Sequence, residues 1–291
     1  MAAKIRKPRQ RLKTLTAVSR KLTCNLGLFP NVKVAERLII EPNFDTTKPT
    51  DMKLFFVLAL FSATLVTSCN FVNGKRIRGN GNIKTESRTS GMFTNVDVSG
   101  NIDLYVKQDS AHSVRVEADE NLMEYIVIRT EGDKLIVEPE DGYNLSSSKD
   151  IKVYVSSPLF KRLDASGACD IIGENKITSA EMIVIDLSGA SDVKLELKAP
   201  KVEAELSGAG SIRLKGETKD FSVSGSGSSD IKCMELMAEN VDVHITGAGD
   251  AEVFASVKLD VSVSGAGNVK YKGNAVVNKS ISGAGSVKKL D

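Results

Sequence analysis

Three acidic residues recur at a similar interval in the second half of the chain and could bind a cation together. They are Asp164, Asp186 and Glu205, and each precedes a Ser-Gly pair by two residues. If the segments stack as neighbouring β-strands, the carboxylates lie about 5 Å apart, which suits a hard cation such as Ca²⁺. A mostly basic column six residues after the same serine favours a salt-bridged surface instead, so we expect no metal site and no cofactor. That column contains Ile172, Lys194, Arg213, Lys232, Glu252, Lys270 and Lys288.

Side chains suited to general acid–base catalysis are few. The chain has two histidines, His112 and His244. Enzymes that cleave glycosidic bonds gather carboxylates with a base in one groove, and this sequence does not place such a set together. We therefore expect a solvated surface histidine at His244 and no catalytic residues. A carbohydrate-active β-helix enzyme, either a lyase or a hydrolase, is the alternative.

The element that positions these residues is a short Gly-rich corner that occurs seven times, at intervals of 18 to 22 residues. Ser207-Gly-Ala-Gly-Ser211 is one copy. Self-similarity at a nearly fixed period predicts a solenoid, in which each repeat forms one coil stacked on the last. The corners begin at Ser166, Ser188, Ser207, Ser226, Thr246, Ser264 and Ser282.

Alternating hydrophobicity on both sides of each corner predicts strands. In the copy at Ser207, Leu206 precedes the corner and Ile212 and Leu214 follow it, with polar residues between them. Alternation with period two, rich in Val and Ile, is typical of a half-buried strand. The sequence therefore predicts an all-β solenoid with coils of about 18–22 residues and no substantial helix from residue 161 onward.

The four cysteines have different expected roles. Cys24 lies near the start of the chain and Cys69 follows an apolar segment, while Cys169 and Cys233 lie three repeats apart. Three repeats correspond to about 14 Å at the spacing of stacked strands, whereas a disulfide requires Cα atoms within about 7 Å. We therefore predict two unpaired thiols, with Cys233 as a small core hydrophobe.

Charge is unevenly distributed along the chain. Residues 1–68 contain 12 Lys/Arg and 4 Asp/Glu, a net charge of +8, and residues 69–291 contain 27 and 33, a net charge of −6. The larger part is mildly acidic and the chain has no Trp. The sequence therefore lacks the basic clusters and aromatic platform of a nucleic-acid-binding protein.

A lipoprotein signal peptide is predicted at residues 52–68. Met52-Lys53 is followed by an apolar run of 13 residues and then by Val66-Thr-Ser-Cys69, which has the order of a secretory signal and resembles the lipobox of bacterial lipoproteins. The run is shorter than the roughly 20 residues of a membrane span. The resemblance implies lipidation of Cys69, and we expect residues 1–51 to be a non-native upstream extension.

The remaining segments follow from composition and patterning. Residues 69–82 are short and polar and are predicted to be a tether, 83–160 the N-terminal irregular β half of the solenoid, and 161–291 the regular repeats. In the irregular half, Asp109-Ser110-Ala111 resembles the acceptor triplet of some envelope O-glycosylation systems. Ser110 is therefore a candidate glycosylation site, with an ordinary turn as the alternative.

The order of motifs resembles a known bacterial family, "putative auto-transporter adhesin, head GIN domain". The resemblance covers roughly residues 80–291 and is implied by Gly79-Asn-Gly-Asn-Ile83, Phe93 to Val106, Val114 to Leu122 and the repeated Ser-Gly-Ala-Gly corners. It implies an envelope protein with a right-handed parallel β-helix-like fold and provides no catalytic residues.

These observations predict a non-enzymatic cell-envelope protein anchored to a membrane by lipid on Cys69. Its solenoid surface is expected to serve adhesion, by binding a glycan or another envelope protein. Asn70 follows the cysteine, so the acidic residue that retains some lipoproteins in the inner membrane is missing and the outer membrane is favoured.

The anchor is tested by mass spectrometry of the protein purified from membranes. We expect the mature chain to begin at Cys69 with several acyl chains, because one chain gives only weak anchoring. The Cys69→Ala variant should lose the modification and move to the soluble fraction. An intact peptide that spans Ser68 to Asn70 in the wild type, or equal pelleting of both forms, would contradict the prediction.

Overall fold

The computed structural model describes residues 74–291, which are almost entirely β-strand. The predicted signal peptide, Cys69 and residues 70–73 lie outside the described residues. The strands before residue 160 are β1 (Lys75–Arg78), β2 (Ile83–Arg88), β3 (Asn95–Gly100), β4 (Ile102–Gln108), β5 (Ser113–Asp119), β6 (Ile126–Glu131), β7 (Lys134–Pro139), β8 (Tyr143–Ser146) and β9 (Ile151–Ser157). A 3-10 helix spans Glu120–Tyr125.

The remaining strands form the repeated coils, and no helix occurs among residues 161–291, as predicted. They are β10 (Arg162–Gly167), β11 (Asp170–Gly173), β12 (Ile177–Thr178), β13 (Ile183–Gly189), β14 (Asp192–Gly208), β15 (Ser211–Gly227), β16 (Asp230–Gly247), β17 (Asp250–Gly265), β18 (Asn268–Lys272), β19 (Val276–Gly283) and β20 (Ser286–Lys289).

The coils form two stacks of parallel strands that meet at the Gly-rich corners. The entry stack consists of strands that run into a corner: β3, β10, β13, the second halves of β14 to β17, and β19. The exit stack consists of strands that leave it: β4, β11, the first halves of β14 to β17, β18 and β20. This arrangement confirms the predicted β-solenoid.

The corners are held in register by backbone hydrogen bonds between coils. The N–H of the residue after each corner glycine donates to the carbonyl of the corner glycine one coil earlier, as from Ala190 to Gly167 at 2.7 Å and from Ala209 to Gly189 at 2.8 Å. Gly208 has φ of +130°, and a Cβ there would lie 2.1 Å from the carbonyl oxygen of Gly189. Only glycine fits this close approach with a left-handed backbone.

The corners extend one coil further toward the N-terminus than the seven clear copies. Ser99 and Gly100 pair with Ser166 and Gly167, so the degenerate corner in the irregular half begins the stack. The predicted inward columns are buried, and Leu206, Ile212 and Val223 are each 0% exposed. One continuous apolar core therefore runs through the coils.

The N-terminal end of the stack is covered by antiparallel strands. On the exit stack, β5 pairs antiparallel with both β9 and β2. On the entry stack, β7 pairs with β3 and forms an antiparallel hairpin with β6 through a turn at Gly132-Asp133. A change from parallel to antiparallel pairing lets short hairpins end the repeat without another coil.

A buried carboxylate ties the N-terminal segment to this cap. Asp119 is 0% exposed and accepts hydrogen bonds from the N–H of Gly81 at 2.7 Å and from the N–H and hydroxyl of Ser148 at 2.8 and 2.6 Å. The side-chain amide of Asn121 donates to the carbonyl of Arg78 at 2.7 Å. Two motifs that are 38 residues apart in the sequence thus meet at Asp119.

These contacts correct the prediction of a tether over residues 69–82. Lys75–Arg78 form β1, which pairs in parallel with β8, and Gly79 packs so closely that a Cβ there would lie 2.2 Å from the Asp119 carboxylate. We predicted a linker from polar composition alone. The strand that this segment pairs with lies far away in the sequence, so no local pattern indicated the pairing. From residue 75 onward the segment is part of the folded cap.

The C-terminal coil departs from the inward pattern. Lys279 pairs with Val261 and Lys289 with Tyr271, so two lysines occupy positions that are apolar one coil earlier. Ile281 is 38% exposed, whereas its partner Val263 is 1% exposed. Lysines with long apolar stems and solvated ammonium groups are suited to the last turn of such a core.

Within residues 74–291, no helix is long and apolar enough to cross a membrane.

The core assignment is tested by Leu206→Asp, which places an unpaired charge in an inward column. We expect a loss of about 4 kcal/mol or more of unfolding free energy, enough to leave much of the protein unfolded. Ser207→Asp, one residue along on the exposed side, is the matched control and should change stability by about 0.5 kcal/mol or less. Equal denaturation midpoints for the two variants would contradict the column assignment.

The cap is tested through the pH dependence of Asp119→Asn. Burial opposes ionisation of Asp119, but the hydrogen bonds from Ser148 and Gly81 outweigh it and lower the pKa below the ordinary value of 3.8. A lowered folded-state pKa contributes stability that is fully present above about pH 4 and is lost as the pH falls through the folded-state value.

The variant should therefore be less stable by about 2 kcal/mol at pH 7, because the same donors then face an amide. The difference from wild type should shrink between pH 5 and pH 2. The control is Asp141→Asn at an exposed position, for which urea denaturation should give only a small offset at pH 7. A pH-independent deficit in Asp119→Asn would show that the carboxylate charge is irrelevant.

Candidate ligand-binding surfaces and the first-corner cavity

The acidic column lies on the outer face of the entry stack, and its first members are ion-paired. Arg162 contacts Asp164 at 2.7 Å and Asp186 at 2.8 Å, and Lys134 contacts Asp97 at 3.1 Å. Burial raises the pKa of Asp164, with Arg162 acting in the opposite direction. The predicted salt-bridged surface is confirmed here. Its cations are Arg162 and Lys134 rather than members of the basic column, because that column lies on the exit stack.

The basic column continues into aromatic residues toward the N-terminus. Tyr105 and Tyr154 pair across β4 and β9, and Ile172 connects Tyr105 to Lys194. We call this outward line on the exit stack the Tyr–Lys row. The row runs Arg115, Tyr154, Tyr105, Ile172, Lys194, Arg213 and Lys232.

The tyrosine rings of the row are stacked on one another. Their centroids lie 4.8 Å apart with 25° between the planes, and the Arg115 guanidinium lies 3.9 Å above the Tyr154 ring. Both faces of the Tyr154 ring are therefore covered. The row presents ring edges, hydroxyls and cationic groups, which bind by hydrogen bonds and charge rather than by an open aromatic face.

Carboxylates lie beside part of the Tyr–Lys row, two residues earlier on four of its strands. Asp103, Asp170 and Asp192 lie toward its N-terminal end. Burial, reinforced by the charge of Asp170, raises the pKa of Asp103, and burial with the charge of Asp192 raises the pKa of Asp170. Within residues 74–291, no group of three or more His, Cys, Asp or Glu side chains has a metal-binding arrangement.

Opposite charges also alternate along the rest of the exit stack. Examples are the Lys198–Glu217 and Lys215–Glu196 pairs, at 3.0 and 2.9 Å. Lys194 and Arg213 form no salt bridge within residues 74–291, and a depression of about 330 Å³ opens beside them. Exposed pairs contribute little to stability, so the cations without partners are available to a ligand.

A larger cavity, of about 530 Å³, lies at the first corner. None of its ten lining residues carries a charged side chain. Tyr143 also packs against Tyr125, with ring centroids 4.6 Å apart. The residues that line the cavity include Asn101, Ile102, Tyr143, Asn144, Leu145 and Ile151. The cavity lies between β8 and the corner at Gly100, so it forms where the repeat meets its cap.

The histidines are far apart and differently placed. His244 is exposed and lies 3.1 Å from Asp242 on the entry stack. His112 packs against Phe93 with ring centroids 4.9 Å apart, and its Nδ1 is buried without a hydrogen-bond partner within the described residues. The structure thus gives His244 the solvated position that we expected and brings neither histidine to the Tyr–Lys row or the cavity.

Cys169 and Cys233 are both buried and unpaired, as predicted. Burial raises the pKa of both thiols, to about 12 for Cys233. Thiols with such raised pKa values are poor nucleophiles at neutral pH, so these cysteines serve as core side chains.

Ser110 lies in the turn between β4 and β5. It is exposed, and its N–H donates to the Asp109 carboxylate at 2.7 Å. The side chain is thus accessible, and the Asp–Ser pair forms an ordinary local turn.

Sequence reasoning missed the tyrosine pair and the cavity. Tyr105 stands six residues after Ser99, the same interval that defines the basic column, so aligning the degenerate corner with the clear copies was the available signal. Tyr154 lies on a strand without a corner, and the cavity depends on how β8 covers the first coil. Neither the position of Tyr154 nor the cavity produces a local pattern in the sequence.

The chain is thus a β-solenoid with ion-paired outer faces and a buried apolar core. The chain belongs to the family described as "Putative auto-transporter adhesin, head GIN domain", which matches residues 92–275. Membership in this family indicates a cell-envelope or surface protein. No functionally characterised curated protein matches the sequence.

Solved structures from Bacteroides and Parabacteroides species have the same fold over their whole length. A "putative adhesin" from Bacteroides fragilis is 22% identical, with a TM-score of 0.70, over 74% of this chain and 100% of that one. A "putative lipid binding protein" from Parabacteroides distasonis is 28% identical, with a TM-score of 0.63, over 75% and 100%. A "putative adhesin" from Parabacteroides merdae is 24% identical, with a TM-score of 0.59, over the same shares.

Proposed function

We propose that this protein is a non-enzymatic, lipid-anchored envelope adhesin that binds a glycan along the exit stack. The observation that carries the proposal is the Tyr–Lys row, a line of tyrosines and cations with Ile172 between them on the outer face of the exit stack. Lipid on Cys69 would hold the mature protein at the outer membrane, and Ser110 is a candidate for O-glycosylation on an exposed turn.

The geometry of the row suits a polymer. Parallel strands repeat at about 4.8 Å, so hydroxyl, guanidinium and ammonium groups are presented at regular steps along the stack. A glycan presents hydroxyls, ring oxygens and sometimes acidic groups at similarly regular steps. Many weak contacts on a rigid surface sum to useful avidity without a deep pocket.

The charge pattern supports binding rather than cleavage. Glycosidase chemistry needs two carboxylates placed across one bond with separated pKa values. Carboxylates of the exit stack lie beside the cations, and Glu252, which lies within the basic column itself, is paired with Lys270 at 2.9 Å. This distribution matches a mixed-charge surface better than a catalytic groove.

The proposal is tested with the full-length chain in a polyoxyethylene detergent on an array of bacterial and host glycans. We expect binding to a subset of polysaccharides, and a loss of about tenfold or more in the triple variant Lys194→Ala/Arg213→Ala/Lys232→Ala. The control Lys201→Ala/Lys219→Ala/Lys258→Ala has the same change in net charge away from the row and should bind as wild type does.

Three outcomes would contradict the proposal. Equal loss in both triple variants would show a general charge effect, and no glycan binding would leave an envelope protein as the ligand. Release of reducing ends or unsaturated sugars from a bound polysaccharide would establish the alternative, a carbohydrate-active enzyme. Melting temperatures of both variants confirm that they remain folded.

A further inference from the structure

The first corner of the solenoid has a backbone donor without an acceptor. In later coils, the residue after the corner glycine donates its N–H to the preceding corner, as from Ala168 to Gly100 and from Ala266 to Gly247, both at 2.8 Å. Asn101 occupies the equivalent place in the first coil, where no earlier corner exists. Its N–H has no backbone acceptor within residues 74–291, and Asn101 lines the first-corner cavity.

The side-chain amides around this cavity are also unbonded. Elsewhere in the N-terminal half, the amide groups of Asn80, Asn121 and Asn175 are each engaged in hydrogen bonds. Those of Asn101 and Asn144, and the hydroxyl of Tyr143, have no hydrogen-bond partner within the described residues. Three side-chain polar groups and one N–H of residues that line the cavity therefore have no hydrogen-bond partner within the described protein and are open to solvent or to a ligand.

The rest of the lining is apolar and uncharged. Ile102 and Ile151 are 0% and 2% exposed, and Leu145 is 6% exposed. The volume of about 530 Å³ lies in the range of small-molecule sites, which combine an apolar wall with a few placed polar groups. The Asn101 and Asn144 side chains are exposed to solvent, and no lining residue has a charge that could pair with a charged ligand, so the lining favours an uncharged ligand.

We propose that the first-corner cavity binds a neutral sugar residue, such as the terminal unit of a glycan. A sugar oxygen would accept from the Asn101 N–H in the place that a corner carbonyl occupies in later coils. The Asn144 amide and the Tyr143 hydroxyl would bond the other hydroxyls, and the Tyr143 ring with Leu145 would contact the apolar face of the sugar. This site is separate from the proposed glycan-binding surface at the Tyr–Lys row, and its existence does not depend on that proposal.

The experiment is titration of the full-length chain with the methyl glycosides of glucose, galactose, mannose and N-acetylglucosamine. Saturation-transfer NMR and calorimetry are read at millimolar sugar, in a polyoxyethylene detergent because glycoside detergents would compete. We expect saturable binding of at least one neutral glycoside and much weaker binding of methyl glucuronide.

Variants locate the site. Asn144→Ala should weaken binding about tenfold, and Tyr143→Phe, which keeps the packing on Tyr125, should weaken it several-fold. Asn274→Ala removes an exposed amide at the other end of the solenoid and is the matched control, with unchanged binding expected. Denaturation midpoints of all three variants should stay near wild type, because the altered groups make no hydrogen bonds within the described protein.

Several results would overturn the inference. These are the absence of saturable binding by every neutral glycoside, equal binding of the charged glycoside, or insensitivity to both Asn144→Ala and Tyr143→Phe. The triple variant of the Tyr–Lys row should leave this binding unchanged. Sugar binding that persists while polysaccharide binding is lost would thus separate the two sites.

Discussion

The structure depends on one contact, the hydrogen bond from each corner N–H to the glycine carbonyl of the coil before it. The contact requires a left-handed backbone and leaves no room for a Cβ, as at Gly208 and Gly247. Because it repeats at every corner from Gly100 to Gly265, it fixes the register of both strand stacks at once. Side chains alternate between the two faces of a strand, so a register slip of one residue would move the core side chains to the surface. By fixing the register, the corners therefore also keep the core side chains inside.

A fixed register also determines the outer surfaces. Like positions lie over like positions, so a basic residue at one interval from the corner becomes a line of cations and an aspartate two residues earlier becomes a line of carboxylates. Opposite charges on adjacent lines limit repulsion within each line, as Arg162 does between Asp164 and Asp186. Side chains of one chemical type therefore form rows on the surface of this fold, and a ligand that contacts a whole row must itself be extended.

The repeated part of the fold was predictable because its signals are local and are repeated seven times. The inward columns and the unpaired Cys169 and Cys233 follow from spacing within one or a few coils. Asp119 was not predictable, because its partners Gly81 and Ser148 lie 38 and 29 residues away and none of them repeats. The same holds for the Tyr105–Tyr154 stack and for the cavity, which arise where strands without corners cover the first coil.

The two ends of a solenoid differ from its middle, because each terminal coil lacks a neighbour on one side. An interior coil meets nearly the same environment on both sides, so its backbone groups are all engaged by its neighbours. At the C-terminal end, Lys279 and Lys289 stand in apolar columns and keep the exposed edges soluble. At the other end, antiparallel strands cover the core but leave the Asn101 N–H without a corner to bond. The constraint that makes the repeat regular thus leaves the N–H of the first corner without an acceptor from the repeat, and the proposed sugar oxygen would take the place of that acceptor.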